Sequence, residues 1–202
     1  LFAYNRSTAS VLTTTVRTPG GTGSGWAGAT HHDWSKIDPS ALGARATEKA
    51  RSSVNPVAVE PGRYTVVFEP TAVGNLVQFI SRALNARSAD EGRSFFSLPG
   101  GKNKIGQKVV DERVTITSDP FDPNIAGAPF SADGLPTKPV IWIENGVLKT
   151  WMLDCRSARQ LGLKSTGNAH RGASSPPSPG ASNVHMPAGK ISRDALLQEI
   201  QR

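Results

Sequence analysis

The sequence predicts an α+β fold: a mostly antiparallel curved sheet or partial barrel with two to three packed helices. Three observations carry this. Two stretches read as hairpins, Thr8–Thr18 with Gly25–His31 and Val140–Glu144 with Val147–Leu153. Two segments, Asp38–Ser53 and Thr71–Leu84, have helical apolar spacing. Strand–helix–strand crossovers are few, which favours antiparallel pairing.

Thr8–Thr18 is dominated by Val and Thr, both strong strand formers. Val11 and Val16 do not alternate cleanly, so the register stays open. The Gly run from Gly20 to Gly25 reads as a turn, because no βαβ unit surrounds it to make a phosphate loop. Asp38-Pro39 predicts a helix start, with Asp as cap and Pro at the first position. Ala41, Leu42, Ala46 and Ala50 follow on one face, and such small residues favour close packing on a sheet. Arg63–Phe68 predicts a strand. The helix after it carries a broad stripe of Val73, Leu76, Val77, Phe79, Ile80 and Leu84. Ala86–Gly101 reads as polar and irregular, Glu112–Ser118 as a strand, and Ser118–Lys138 as a long Pro- and Gly-rich loop or lid.

Asn145-Gly146 is the strongest local signal, because Asn-Gly supplies the positive φ angles of a type I′ turn. Cys155–Leu161 then predicts a short helix stopped at Gly162, followed by the polar cluster Ser165–Asn168. Gly172–Gly189 is rich in Ser, Pro and Gly and reads as extended or mobile. Ile191–Arg202 predicts a terminal helix capped by Ser192. The domain organisation expected is an α+β domain over 1–171, a loop over 172–190 and a helix over 191–202.

The 202 residues carry a net charge of +7 and one cysteine. A single Cys excludes an internal disulfide framework and fits a reducing compartment. No apolar run approaches the ~20 residues that span a bilayer, and Leu1–Ser10 lacks the basic start and apolar core of a signal peptide. The positive charge permits anionic partners without specifying one. Arg82, Arg87, Arg93, Lys102, Lys104 and Lys108, with Phe95 and Phe96 between them, could form a nucleic-acid surface. Asp90, Glu91, Asp111 and Glu112 intersperse them, which favours a solvated face or an interface to an acidic subunit; nucleic acid is not the expected partner.

His31-His32-Asp33 reads as a surface loop, since neighbouring side chains on a strand point to opposite faces. His170 and His185 with Cys155 lack zinc-ligand spacing. Cys155 has no base in the sequence to make it a nucleophile and reads as a buried structural residue. Ser157, Ser165 and Thr166 likewise lack a recognisable His/Asp arrangement.

Several ordered motifs carry a family resemblance over Tyr64 to Arg171. They are Ile143-x-x-Gly146-x-Leu148, the Trp151–Leu153 step, Ser157-Ala158-Arg159, Leu161-Gly162 and Lys164-Ser165-Thr166-Gly167-Asn168-Ala169. Ala128-Pro129-Phe130-Ser131-Ala132-Asp133-Gly134 resembles a small-Pro-Phe-Asp-x-Glu-Gly step, with Ser131 and Asp133 at its acidic positions. Together they resemble the TldD/PmbA family, also called TldD/TldE: metallopeptidases and their partner subunits, historically named modulators of DNA gyrase. Its members are longer, so the resemblance implies a fragment lacking an N-terminal α/β region and a C-terminal segment.

In the family's catalytic branch the helix after the Arg63–Phe68 position bears His-Glu-x-x-x-His, in which two His one turn apart hold zinc and the Glu activates water. Here that stretch reads Thr71-Ala72-Val73-Gly74-Asn75-Leu76-Val77-Gln78-Phe79-Ile80-Ser81-Arg82. Amides are weak ligands for zinc. The resemblance therefore implies a PmbA/TldE-like, non-catalytic chain with no cofactor of its own, zinc being expected only in a partner subunit. The expected partners are a TldD-like catalytic subunit or further copies of the chain, and a peptide substrate; no membrane is expected. The setting implied is cytoplasmic peptide proteolysis or maturation. The implied contact loop for peptide or partner comprises Trp151, Asp154, Ser157, Arg159, Ser165, Thr166 and Asn168. Two alternatives are a self-sufficient metallopeptidase with ligands outside this segment, and a basic nucleic-acid-binding module.

Overall fold

The structure is a computed structural model that describes residues 2, 4–125 and 127–200. It divides into two compact units, one built on Arg6–Tyr64 and the other on Thr65–Asp122 and the chain from Gly127 onward.

In the first unit, β1 (Ser10–Arg17) and β2 (Ser24–His31) form an antiparallel hairpin, with Ser10 opposite His31 and Arg17 opposite Ser24. That register turns Leu12 and Val16 toward the buried cluster and leaves Val11 in solvent. Helix α1 (Pro39–Ser52) starts as the sequence predicts, with the Asp38 carboxylate accepting from the Ala41 amide at 3.0 Å. Leu42, Ala46 and Ala50 are buried, while Ala41 is exposed. The approach of α1 to the hairpin is close: a Cβ on Gly25 would lie 2.1 Å from the Ala46 carbonyl oxygen. Only small residues on both elements allow it.

The second unit begins with α2 (Pro70–Ala83) and α3 (Ala86–Asp90). A short hairpin of β3 (Ser97–Leu98) and β4 (Lys102–Asn103) follows. The central sheet contains β5 (Ile116–Ser118), β6 (Val140–Glu144) and β7 (Val147–Leu148). Helix α4 (Cys155–Leu161) comes next, then β8 (Ala169–His170) paired with β9 (Ser178–Pro179). The described chain ends with β10 (Val184–His185) and α5 (Arg193–Ile200). The central sheet is antiparallel in the order β10-β5-β6-β7 and does not close into a barrel. Its core holds Trp142, Ile143, Ile116 and Leu148, packed with Phe96, Leu84 and Met152, all almost fully buried. Each such side chain contributes about 1.5–3 kcal/mol on leaving water.

The Asn145-Gly146 turn is as the residues predict, with φ of +48° and +78°. A Cβ on Gly146 would also meet the Val110 carbonyl oxygen at 2.5 Å, so glycine is required there twice over. The strand after it is shorter than Val147–Leu153. Beyond Leu148 the chain leaves the hairpin for the α2–α3 junction, where the Met152 amide donates to the Leu84 carbonyl at 2.8 Å.

Arg63–Phe68 is not a strand. The segment is extended but has no strand beside it among the described residues, and Tyr64, Val66 and Phe68 are each more than half exposed. Glu112–Ser118 shortens to β5 because the Asp111 side chain accepts from the Arg113 amide at 2.9 Å, turning the chain before it can pair. Elements absent from the sequence reading include α3, capped by Asn85, the two-residue strand pairs β3–β4 and β8–β9, and β10, which adds a fourth strand from within the Ser/Pro/Gly-rich stretch. In the terminal helix the Ser192 hydroxyl accepts from the Ala195 amide at 3.2 Å, and Gln201 and Arg202 lie outside the described residues. Ala126, inside the predicted loop Ser118–Lys138, also lies outside them.

Candidate peptide- or partner-contact site

Three separate stretches meet at the start of α4. The first is α4 itself. Asp154, only 3% exposed, caps it by accepting from the Ser157 amide at 2.6 Å. The helix closes at Gly162 with φ of +65°. Immediately before the cap, Trp151 is buried against Phe96, with ring centroids 6.2 Å apart.

The second stretch is Ser165–Asn168, which folds onto the Leu153 main chain. Ser165 Oγ and Thr166 Oγ1 donate to the Leu153 carbonyl oxygen at 3.0 and 3.2 Å, and the Leu153 amide donates back to Thr166 Oγ1 at 3.0 Å. The Thr166 and Asn168 amides approach the same carbonyl at 3.3 and 3.5 Å. These hydroxyls hold backbone; none is presented to a base. Asn168 also accepts from the Gly180 amide at 2.8 Å through its main chain, while its side-chain Oδ1 is buried with no partner among the described residues.

The third stretch is Ala128–Thr137. Gly167, with φ of +71°, lies so close to it that a Cβ would sit 2.8 Å from the Pro136 carbonyl oxygen. The Ala132 amide donates to the Ala169 carbonyl at 3.1 Å. Asp133 completes the junction: one carboxylate oxygen accepts from Ser131 Oγ and the other from the Cys155 amide at 2.8 Å. Burial opposes ionisation of Asp133, but the hydrogen bonds from Ser131 and Cys155 outweigh it and hold its carboxyl below the usual carboxylate range. The hydrogen bond to Asp133, together with burial and that residue's charge, pushes the Cys155 thiol up. Cys155 is exposed rather than buried, and its environment disfavours the thiolate a nucleophile requires.

Of the residues singled out from sequence, Trp151, Asp154 and Ser157 are buried, Ser165, Thr166 and Asn168 half-buried, and Arg159 exposed. Ser157 also borders a depression of about 160 Å³ with Arg87, Asp90, Glu91, Gln160 and Leu161. Sequence reasoning missed the joining roles of Ser131, Asp133 and Gly167. The acidic step at Ser131 and Asp133 was the available signal for two of them.

The other candidates disperse. His31 and His32 stack at 4.3 Å instead of pointing apart, because β2 ends at His31 and releases His32 from strand alternation. No three His, Cys, Asp or Glu side chains gather as metal ligands among the described residues. On α2 the polar side chains are Thr71, Asn75, Gln78, Ser81 and Arg82, and Ser81 Oγ donates to the Val77 carbonyl at 2.8 Å. That donor set does not fit zinc. In the basic stretch, Arg87 and Arg93 both pair with Glu91, Lys108 pairs with Glu112, and Phe96 is in the core.

A sequence model of the PmbA/TldA metallopeptidase C-terminal domain matches residues 61–202. The chain belongs to the PmbA/TldD family. A metalloprotease of Methanothermobacter thermautotrophicus is 31% identical over 164 residues, covering 79% of this chain and 34% of that protein. Metalloprotease PmbA of Escherichia coli O157:H7 is 29% identical over 132 residues, covering 65% and 28%. A Buchnera aphidicola TldD homolog is 34% identical over 142 residues, covering 69% and 28%. The chain thus spans about a third of the length of the curated relatives it matches. The fold is similar to that of a Thermotoga maritima protein described as a modulator of a DNA gyrase, with a TM-score of 0.79 at 26% identity over 95% of this chain and 42% of that one. It is also similar to TldE from Thermococcus kodakarensis, with a TM-score of 0.82 at 24% identity over 95% and 43%. No helix of the described residues is long and apolar enough to cross a membrane.

Proposed function

We propose that this PmbA/TldD-family chain is the non-catalytic, TldE/PmbA-like companion of a zinc-bearing peptidase subunit in cytoplasmic peptide proteolysis or maturation. The observation that carries this reading is α2. By the family resemblance it corresponds to the helix that bears the zinc ligands in the catalytic branch, yet it carries no His, Cys, Asp or Glu. Matched relatives bear both family names at comparable identity, so the choice of branch rests on that helix. The junction at α4 supports a scaffolding role. Its hydroxyls and carboxylates brace main chain, leaving Arg159 and the rim of the α4 depression to meet a peptide or subunit.

The test is to express the chain with and without a TldD-type subunit and to measure zinc on each purified polypeptide. The expected result is a complex whose zinc resides on the other subunit. One equivalent of tightly held zinc on this chain alone would overturn the reading.

A further inference from the structure

We propose that the outward flank of α2 and the adjoining Phe95 turn form one docking surface for an acidic, apolar-centred patch on a partner protein. This deepens the companion-subunit reading above and rests on it for the partner's identity. Leu76 and Phe79 lie three residues apart on α2 and are 48% and 68% exposed, although the opposite flank, at Val77 and Leu84, is buried. Phe95 is 67% exposed. Ser94 Oγ donates to the Ala83 carbonyl at 2.6 Å, which ties the Phe95 turn to the last turn of α2, one turn beyond Phe79.

Each exposed ring carries a cation. The Arg82 guanidinium lies 5.8 Å from the centre of the Phe79 ring, and Lys104 Nζ lies 4.1 Å from that of Phe95. Neither Arg82, Lys104 nor Lys102 forms an ion pair among the described residues, whereas Arg87, Arg93 and Lys108 all do. The surface therefore combines large apolar side chains with unneutralised positive charge. Burial of the rings would supply affinity, and carboxylates set around them would be steered in and paired.

A protein fits this chemistry better than a nucleic acid. The second ring of the Phe95-Phe96 pair is 1% exposed and cannot stack a base. The neighbouring arginines are occupied by Glu91, so no continuous cationic track follows a backbone. Leu76 is aliphatic and offers no stacking face.

Binding is measured by sedimentation and calorimetry for the wild-type chain, F79D, F95D and a charge-reversed R82E/K104E variant. Phe121→Asp, on an exposed ring elsewhere (62%), is the control. The probes are a TldD-type subunit, a synthetic amphipathic helix of Glu, Ala and Leu, and single-stranded oligothymidine. Circular dichroism checks that each variant is folded. The expected result is that F79D and F95D weaken subunit binding by about 10-fold or more, R82E/K104E removes its salt dependence, and F121D changes neither. A complex indifferent to the patch variants overturns the docking surface and leaves the companion reading intact. Binding of the acidic helix through the patch, with no complex with the subunit, upholds the surface and overturns the companion reading. Binding to neither overturns both, and patch-dependent binding of oligothymidine alone overturns the protein partner.

Discussion

Trp142 and Ser118 face each other across β5 and β6, and the indole N–H donates to Ser118 Oγ at 2.8 Å with both residues buried. The bond lets the sheet bury its largest side chain without orphaning a polar hydrogen. Ser118→Ala is expected to destabilise the chain by about 1–3 kcal/mol, because it strands the indole donor in the core. Urea unfolding measures this. In a double-mutant cycle with Trp142→Phe, the S118A cost should largely vanish once the donor is gone.

Gly167 is the narrowest point of the junction between Ser165–Asn168 and Ala128–Thr137. An alanine there would adopt a left-handed conformation costing about 1–2 kcal/mol, and its Cβ would collide with the Pro136 carbonyl. Gly167→Ala should therefore lower stability by more than 1 kcal/mol. It should also speed hydrogen exchange at the Thr166 amide, which approaches the Leu153 carbonyl.

The pairing of Asp133 with Cys155 predicts a sluggish thiol. The carboxylate accepts from Cys155 and repels the thiolate, so Asp133→Asn should bring the thiol pKa back toward its ordinary value. Iodoacetamide modification at mildly alkaline pH should then be faster in D133N than in the wild type. An equal or slower rate would show that Asp133 does not control the thiol.

The same carboxylate gives an acid-side prediction. Its folded pKa lies below its ordinary 3.8, so its contribution to stability is fully present above that value and is lost as pH falls through the lower folded one. Denaturation midpoints measured down the acid limb should fall more steeply for wild type than for D133N, with the difference confined to the region below pH 3.8.

Much of this architecture was legible in the residues because the signals were local. Asn145-Gly146 specifies its turn through backbone sterics, Asp38-Pro39 its helix start through a cap, and Gly162 the end of α4. Arg63–Phe68 misled because strand propensity describes fit to a neighbour, and none lies beside it among the described residues. β10 was hidden for the converse reason: Val184-His185 is only two residues long, lies within a Ser/Pro/Gly-rich stretch, and is a strand through pairing with Ser118 and Thr117. At the site, the motif order pointed to α4 and the Ser165–Asn168 turn. That Asp133 would reach the Cys155 amide, 22 residues away, depends on tertiary approach that no local pattern encodes.

The placement of β10 gives the Ser/Pro-rich stretch a protective duty. Because Val184-His185 lies along β5, the Pro-studded tail shields that flank of the sheet from self-templated growth. Trimming the polypeptide upstream of Val184 would leave the β5 edge unpaired, the kind of exposed strand edge that templates pairing with another chain.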